Sequence, residues 1–143
     1  MATAMNMVQS NTGVSGSTDY AVAMREAPTS AAWSYAAANL GIVNTTTAVT
    51  IKASAGAGIK NYIKSMQIMA EALGAATELA IREGAGGTVL WRTKIGTGGL
   101  TTGLSIEFPT PIAGTAATLL EVVTLTASVT GAVYVNVQGF AAA

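Results

Sequence analysis

The chain contains no histidine and no cysteine. Those two absences remove disulfides, zinc sites built on nitrogen or sulfur ligands, cysteine nucleophiles and histidine bases together. Charge is nearly as scarce, with seven Lys and Arg against seven Asp and Glu in 143 residues, zero net at neutral pH. A soluble domain is roughly a quarter charged, so little electrostatic repulsion opposes self-association here. The basic residues are scattered, with Lys60 and Lys64, and Arg92 and Lys94, as the only close pairs. That gives no electrostatic footprint for nucleic acid. No uninterrupted apolar run reaches the roughly 18 residues of a membrane helix, and no membrane partner is expected. The first basic residue is Arg25, so the opening residues do not read as a signal peptide with its positive start.

What remains is small and apolar. Half of the residues are hydrophobic and 16 are glycine, in a length that suits one domain. Exposed apolar surface usually marks a contact. A neutral chain of this kind is therefore expected to work as one copy among many, with neighbouring subunits covering part of its surface.

Residues 1–30 stand apart from the rest. Met1 to Asp19 is rich in Ser, Thr, Asn and Gly, and Met5, Met7 and Val8 keep no period. Such a segment cannot bury enough apolar surface alone to offset its ordering entropy. It reads as a flexible tail or as an N-terminal arm that orders on a partner. Tyr20, Val22 and Met24 form its short strand or anchor, and Pro28 closes the region.

Residues 31–143 read as one β-domain. A short strand covers Trp33 to Ala37, and Thr45 to Ala53 follows with Val49, Ile51 and Ala53 on one face. Thr77 to Glu83 sets Leu79 and Ile81 against Glu78 and Arg82. The glycines of Gly84 to Gly87 turn it into Thr88 to Lys94 as a hairpin. Thr102 to Phe108 is another strand, ended by Pro109 and Pro111 because proline cannot donate to a ladder. Thr118 to Thr126 and Ala132 to Phe140 make a second hairpin about the turn at Ser128 to Gly131. In the last strand Val133, Val135 and Val137 share a face opposite Tyr134, Asn136 and Gln138.

Residues 59–73 admit two readings. Ile59, Tyr62, Ile63, Met66, Met69, Ala70 and Leu73 fit a helical stripe, while Tyr62, Lys64, Met66, Ile68 and Ala70 fit one face of a strand. The strands on either side favour a strand. About eight strands separated by turns, with no internal repeat, indicate an all-β antiparallel sandwich or closed barrel.

Catalytic chemistry finds little material. Gly84-Ala-Gly-Gly-Thr88 lacks the Lys-Ser/Thr pair of a phosphate loop, and Gly56-Ala-Gly58 has Asn61 where a dinucleotide fingerprint needs glycine. Glu78 and Glu83 share a strand at odd spacing and face opposite sides, so they cannot act as a glycosidase pair. Neighbouring Lys64 and Ser65 also point apart on a strand. No Asp-rich loop supports a hard cation. The expectation is a protein that is not an enzyme, with no catalytic residues, no metal and no cofactor. Trp33 and Tyr35 share one side of a strand just after the arm. They serve equally as core residues or as contacts for the arm or a neighbouring subunit, with a carbohydrate-binding platform as a third reading.

The order of several segments resembles that of small tailed-bacteriophage virion proteins. These are Trp33-Ser-Tyr-Ala-Ala-Ala38, Gly56-Ala-Gly-Ile-Lys-Asn-Tyr62, Ile81-Arg-Glu-Gly84, Val89-Leu-Trp-Arg92, Phe108-Pro-Thr-Pro-Ile112 and Ala132-Val-Tyr-Val-Asn-Val-Gln-Gly139. Head decoration, or cement, proteins are the nearest class. The resemblance spans about residues 33 to 140 and leaves the arm outside. It implies a jelly-roll-like β-sandwich that forms a homotrimer. It also implies attachment to the major capsid protein on the outer surface of the capsid, in a virion made in the host cytoplasm. Tyr20, Val22, Met24, Trp33 and Tyr35 are the candidate oligomer or capsid contacts. Two other duties stay open, a head-fibre or tail module that binds a host glycan and a neck or tail connector.

Overall fold

The structure, a computed structural model, describes residues 30–143. They form nine strands and no helix: β1 (Ala31–Tyr35), β2 (Ile42–Val43), β3 (Val49–Lys52), β4 (Lys60–Ala70), β5 (Thr77–Glu83), β6 (Val89–Ile95), β7 (Leu100–Ala113), β8 (Leu120–Thr124) and β9 (Ala132–Ala142). One sheet has the order β1-β9-β4-β7, with β2 also paired to β9; the other has the order β3-β8-β5-β6. Every pairing is antiparallel. The domain is thus a β-sandwich of two separate sheets, the first of the two forms that the alternating runs admit.

The core lies between the sheets. Ile63, Met66 and Ile68 of β4 and Val133, Val135 and Val137 of β9 meet Leu79 and Ile81 of β5, Leu120 and Val122 of β8 and Ile95 of β6. Each fully buried aliphatic side chain contributes about 1.5–3 kcal/mol, which lets so sparsely charged a chain hold its shape. At one end of the sandwich Glu83 latches the β7–β8 loop, its carboxylate accepting from the Thr115 amide and from the Thr115 and Thr118 hydroxyls.

The ambiguous segment is strand β4, and its ambiguity has a cause. A bulge between Ile63 and Ser65 shifts the pairing with both neighbours. Asn61 and Ile63 point inward before it, and Met66, Ile68 and Ala70 after it. The inward spacing from 63 to 66 is therefore three, which imitates a helix turn. The bulge also puts Tyr62 on the outer face, stacked on Phe140 at 4.7 Å between ring centroids, rather than on the face of Met66.

Three expectations need correction. Pro109 and Pro111 do not end their strand, since β7 continues to Ala113. They are tolerated because among the described residues β7 pairs only with β4 and loops outward there: Ile63 to Ser65 spans two steps while the partner residues Ile112 to Glu107 span five. An edge strand that bulges does not need the missing amides. The segments 118–126 and 132–140 are not a hairpin, because β8 and β9 belong to different sheets. The expected Thr45–Ala53 strand is only Val49–Lys52, preceded by the unpredicted two-residue β2.

Candidate functional site

Antiparallel pairing fixes which loops share an end. β4, β6 and β8 finish, and β5, β7 and β9 begin, at the end that also holds the connections flanking β2. Residues 36–48, 71–76, 96–99 and 125–131 therefore form one platform. Glu71 is its only charged residue, and its carboxylate accepts from the Ala132 amide at 3.0 Å. Ser30, where the described chain begins, lies at the opposite end beside Ala141 and Lys60.

The platform loops are tied to one another. Asn44 N donates to Ser128 Oγ at 3.1 Å, Ala75 N to the Ser128 carbonyl at 2.8 Å, Gly74 N to the Thr130 carbonyl at 3.1 Å and Leu73 N to the Thr97 carbonyl at 2.7 Å. Thr77 Oγ1 donates to the Thr126 carbonyl at 2.6 Å. Gly131 runs at φ 78°, and a Cβ there would fall on the Ala72 carbonyl, so only glycine lets the two loops approach.

Apolar side chains stand out from this frame. Leu40 is 71% exposed and Val129 57%, with Val43 and Leu125 also exposed at the same end. Leu40 and Val129 hold left-handed backbones, at φ 72° and 67°. For a β-branched valine that is a rare conformation. A strained backbone that displays a hydrophobic side chain to solvent gains nothing for the isolated fold, and such strain gathers at functional sites. Exposed Met69 and Leu104 lie within two pairing positions of the same end.

The residues singled out from sequence fall elsewhere. Tyr20, Val22 and Met24 lie outside the described residues. Trp33 and Tyr35 are half-buried and pack inward against the core. Trp33 lies over Gly139, where a Cβ would strike the Tyr62 carbonyl and the indole ring. Its Nε1 is buried without a hydrogen-bond partner among the described residues. The platform was missed because its residues come from four separated loops. The local signal that existed, Leu40 and Val129 amid Gly, Asn, Ser and Thr, reads in sequence as ordinary turn chemistry.

The two sheet faces differ in chemistry. Outside the β3-β8-β5-β6 sheet, Arg82 Nε meets Glu121 Oε1 at 2.5 Å and Arg92 Nη1 meets Glu78 Oε1 at 2.9 Å. Outside the other sheet, β9, β4 and β7 present mainly amides, hydroxyls and aromatic rings. Among the described residues no three carboxylates gather as a metal site would require. Comparison with known families, with curated proteins and with solved structures finds no match to the chain.

Proposed function

We propose that this protein is a non-enzymatic virion structural protein that decorates a tailed-bacteriophage capsid from outside and stabilises it by bridging major capsid protein subunits. The observation that carries this reading is the platform, a loop surface with Glu71 as its single charge, tied together by hydrogen bonds, that displays Leu40, Val43, Leu125 and Val129. Such a surface suits a protein partner of matching neutral, apolar character. The resemblance of residues 33 to 140 to virion proteins supplies the class of partner. Taking β1 and β2 as one interrupted edge strand leaves eight strands, and the order of each sheet then suits the two nested Greek keys of a jelly roll.

The arm supports bridging by its reach. Twenty-nine residues precede Ser30, and an extended chain covers about 3.3 Å per residue, so the segment spans up to about 95 Å. The eleven-residue strands β4 and β9 are only about 36 Å long. A platform at one end and an arm leaving from the other let one copy hold two neighbours. The working unit is a homotrimer, in which low charge permits close packing.

The test compares particles with and without the protein while DNA release is followed on heating. Decorated particles are expected to release at a higher temperature, and gold or fluorescent labelling to place the protein over the whole head. Equal release temperatures, or label confined to the tail, would defeat the proposal.

A further inference from the structure

We propose that the outer face of the β9-β4-β7 sheet carries a binding site for neutral saccharide. A trough of about 150 Å³ lies there, lined by Gln138, Ser65 and Glu107 in one row and Asn136, Gln67 and Ser105 in the next. The register sets these rows: Ser65 pairs with both Gln138 and Glu107, and Gln67 with both Asn136 and Ser105. Strands about 4.8 Å apart and rows about 7 Å apart make a polar patch roughly 10 Å by 7 Å, close to the footprint of a sugar ring or two.

The chemistry of the lining selects the ligand. Three carboxamides offer paired donors beside an acceptor, and two hydroxyls serve as either; adjacent sugar hydroxyls need that mixture of donors and acceptors at short spacing. Among the described residues, the side chains of Gln67, Gln138, Ser65, Ser105 and Glu107 make no hydrogen bond to protein. Only the Asn136 Oδ1 is engaged, accepting from Ala37 N at 2.9 Å, which fixes that amide and leaves its NH2 for a ligand. Aromatic residues follow in the next outward positions along the strands, the stacked Tyr62 and Phe140 beyond one row and Tyr134 beyond the other. They supply apolar faces against which a pyranose can lie.

Charge narrows the class. Among the described residues the one ionisable group lining the trough is Glu107, which repels phosphate, sulfate and uronate and accepts from neutral hydroxyls. The opposite sheet face, built from ion pairs, offers no comparable set of uncommitted amides. The trough and the loop platform are separate surfaces, so saccharide binding stands or falls independently of attachment to a capsid.

The experiment is a titration of the isotope-labelled full chain, followed by NMR of the side-chain NH2 groups. The probes are the methyl glycosides of glucose, galactose, mannose and N-acetylglucosamine, with glucuronic acid and inorganic phosphate as acidic counterparts. At least one neutral probe should shift the Gln67, Asn136 and Gln138 amides in a saturable way. Gln67→Ala and Gln138→Ala should each weaken that binding roughly tenfold, with thermal midpoints retained. Arg92→Ala on the far sheet should leave the affinity unchanged. Silence of these amides toward all four neutral probes up to about 50 mM, weaker than any useful millimolar affinity, would overturn the proposal. So would binding that survives the Gln67→Ala/Gln138→Ala double variant, or an equal response to the acidic probes.

Discussion

Leu40 and Val129 hold the left-handed conformation that costs an L-residue about 1–2 kcal/mol, and both display their side chains to solvent. Replacing either by glycine relieves that strain, partly offset by the greater chain entropy glycine loses on folding. Leu40→Gly and Val129→Gly are therefore expected to raise stability by up to about 1 kcal/mol each in urea titrations. The same variants should bind particles less well, because the displayed side chain is gone. Stability gained together with attachment lost is a pattern that a purely structural residue does not give. Gly139 behaves in the opposite way. A methyl group there meets the Tyr62 carbonyl and the Trp33 ring, and overpacking of this kind costs about 1–3 kcal/mol. Gly139→Ala should lower the urea midpoint accordingly, and an unchanged midpoint would show that β1 can move away from β9. At this scale the sequence was readable wherever alternation is unbroken. Spacing alone puts Val133, Val135 and Val137 on one face, and that face is the buried one. Trp33 was not readable to the same degree, since its place depends on a glycine more than a hundred residues away.

Among the elements, β5, β6 and β9 were legible nearly to the residue because each alternates cleanly and the β5–β6 glycine turn joins hydrogen-bonded neighbours. The connection from β8 to β9 was misread for a physical reason. Ser128 and Gly131 supply turn chemistry, and a crossover between sheets needs the same chemistry as a hairpin within one. β4 and β7 resisted because bulges break their period, and a bulge is set by the partner strand rather than by the strand's own residues. Ion pairs between elements separate in the same way by environment. The Arg82 and Glu121 side chains, on β5 and β8, are only 19% and 9% exposed, whereas those of Arg92 and Glu78 are 59% and 35% exposed. Removing one partner of the first pair strands a largely desolvated charge. Arg82→Met should cost about 3 kcal/mol by urea denaturation, and adding Glu121→Leu should recover most of it. Arg92→Met should cost less than about 1 kcal/mol. Similar losses for the two arginine variants would mean that burial does not govern these pairs.

For the whole molecule, sequence conveyed the low, balanced charge and the sandwich, because composition and periodicity report those directly. It did not convey that four distant loops meet at one end, since that depends on topology. The platform leads to a prediction about salt. Contacts between exposed charges weaken as ionic strength rises and the screening length falls from about 10 Å at 0.1 M to about 3 Å at 1 M. Burial of Leu40, Val43, Leu125 and Val129 against a neutral partner carries no such dependence, and salting-out ions strengthen it. Attachment to particles should thus stay within about threefold between 0.1 M and 1 M sodium chloride, measured by co-sedimentation. Placing charge at the centre of the contact should do what salt does not. Val129→Asp puts a carboxylate where water is excluded on docking, at a cost of several kcal/mol if it stays ionised. Binding should fall at least a hundredfold while the free protein keeps its thermal midpoint, since residue 129 is exposed in the isolated chain. A steep loss of binding with salt, or full binding by Val129→Asp, would move the contact away from the platform and toward the charged sheet face or the arm.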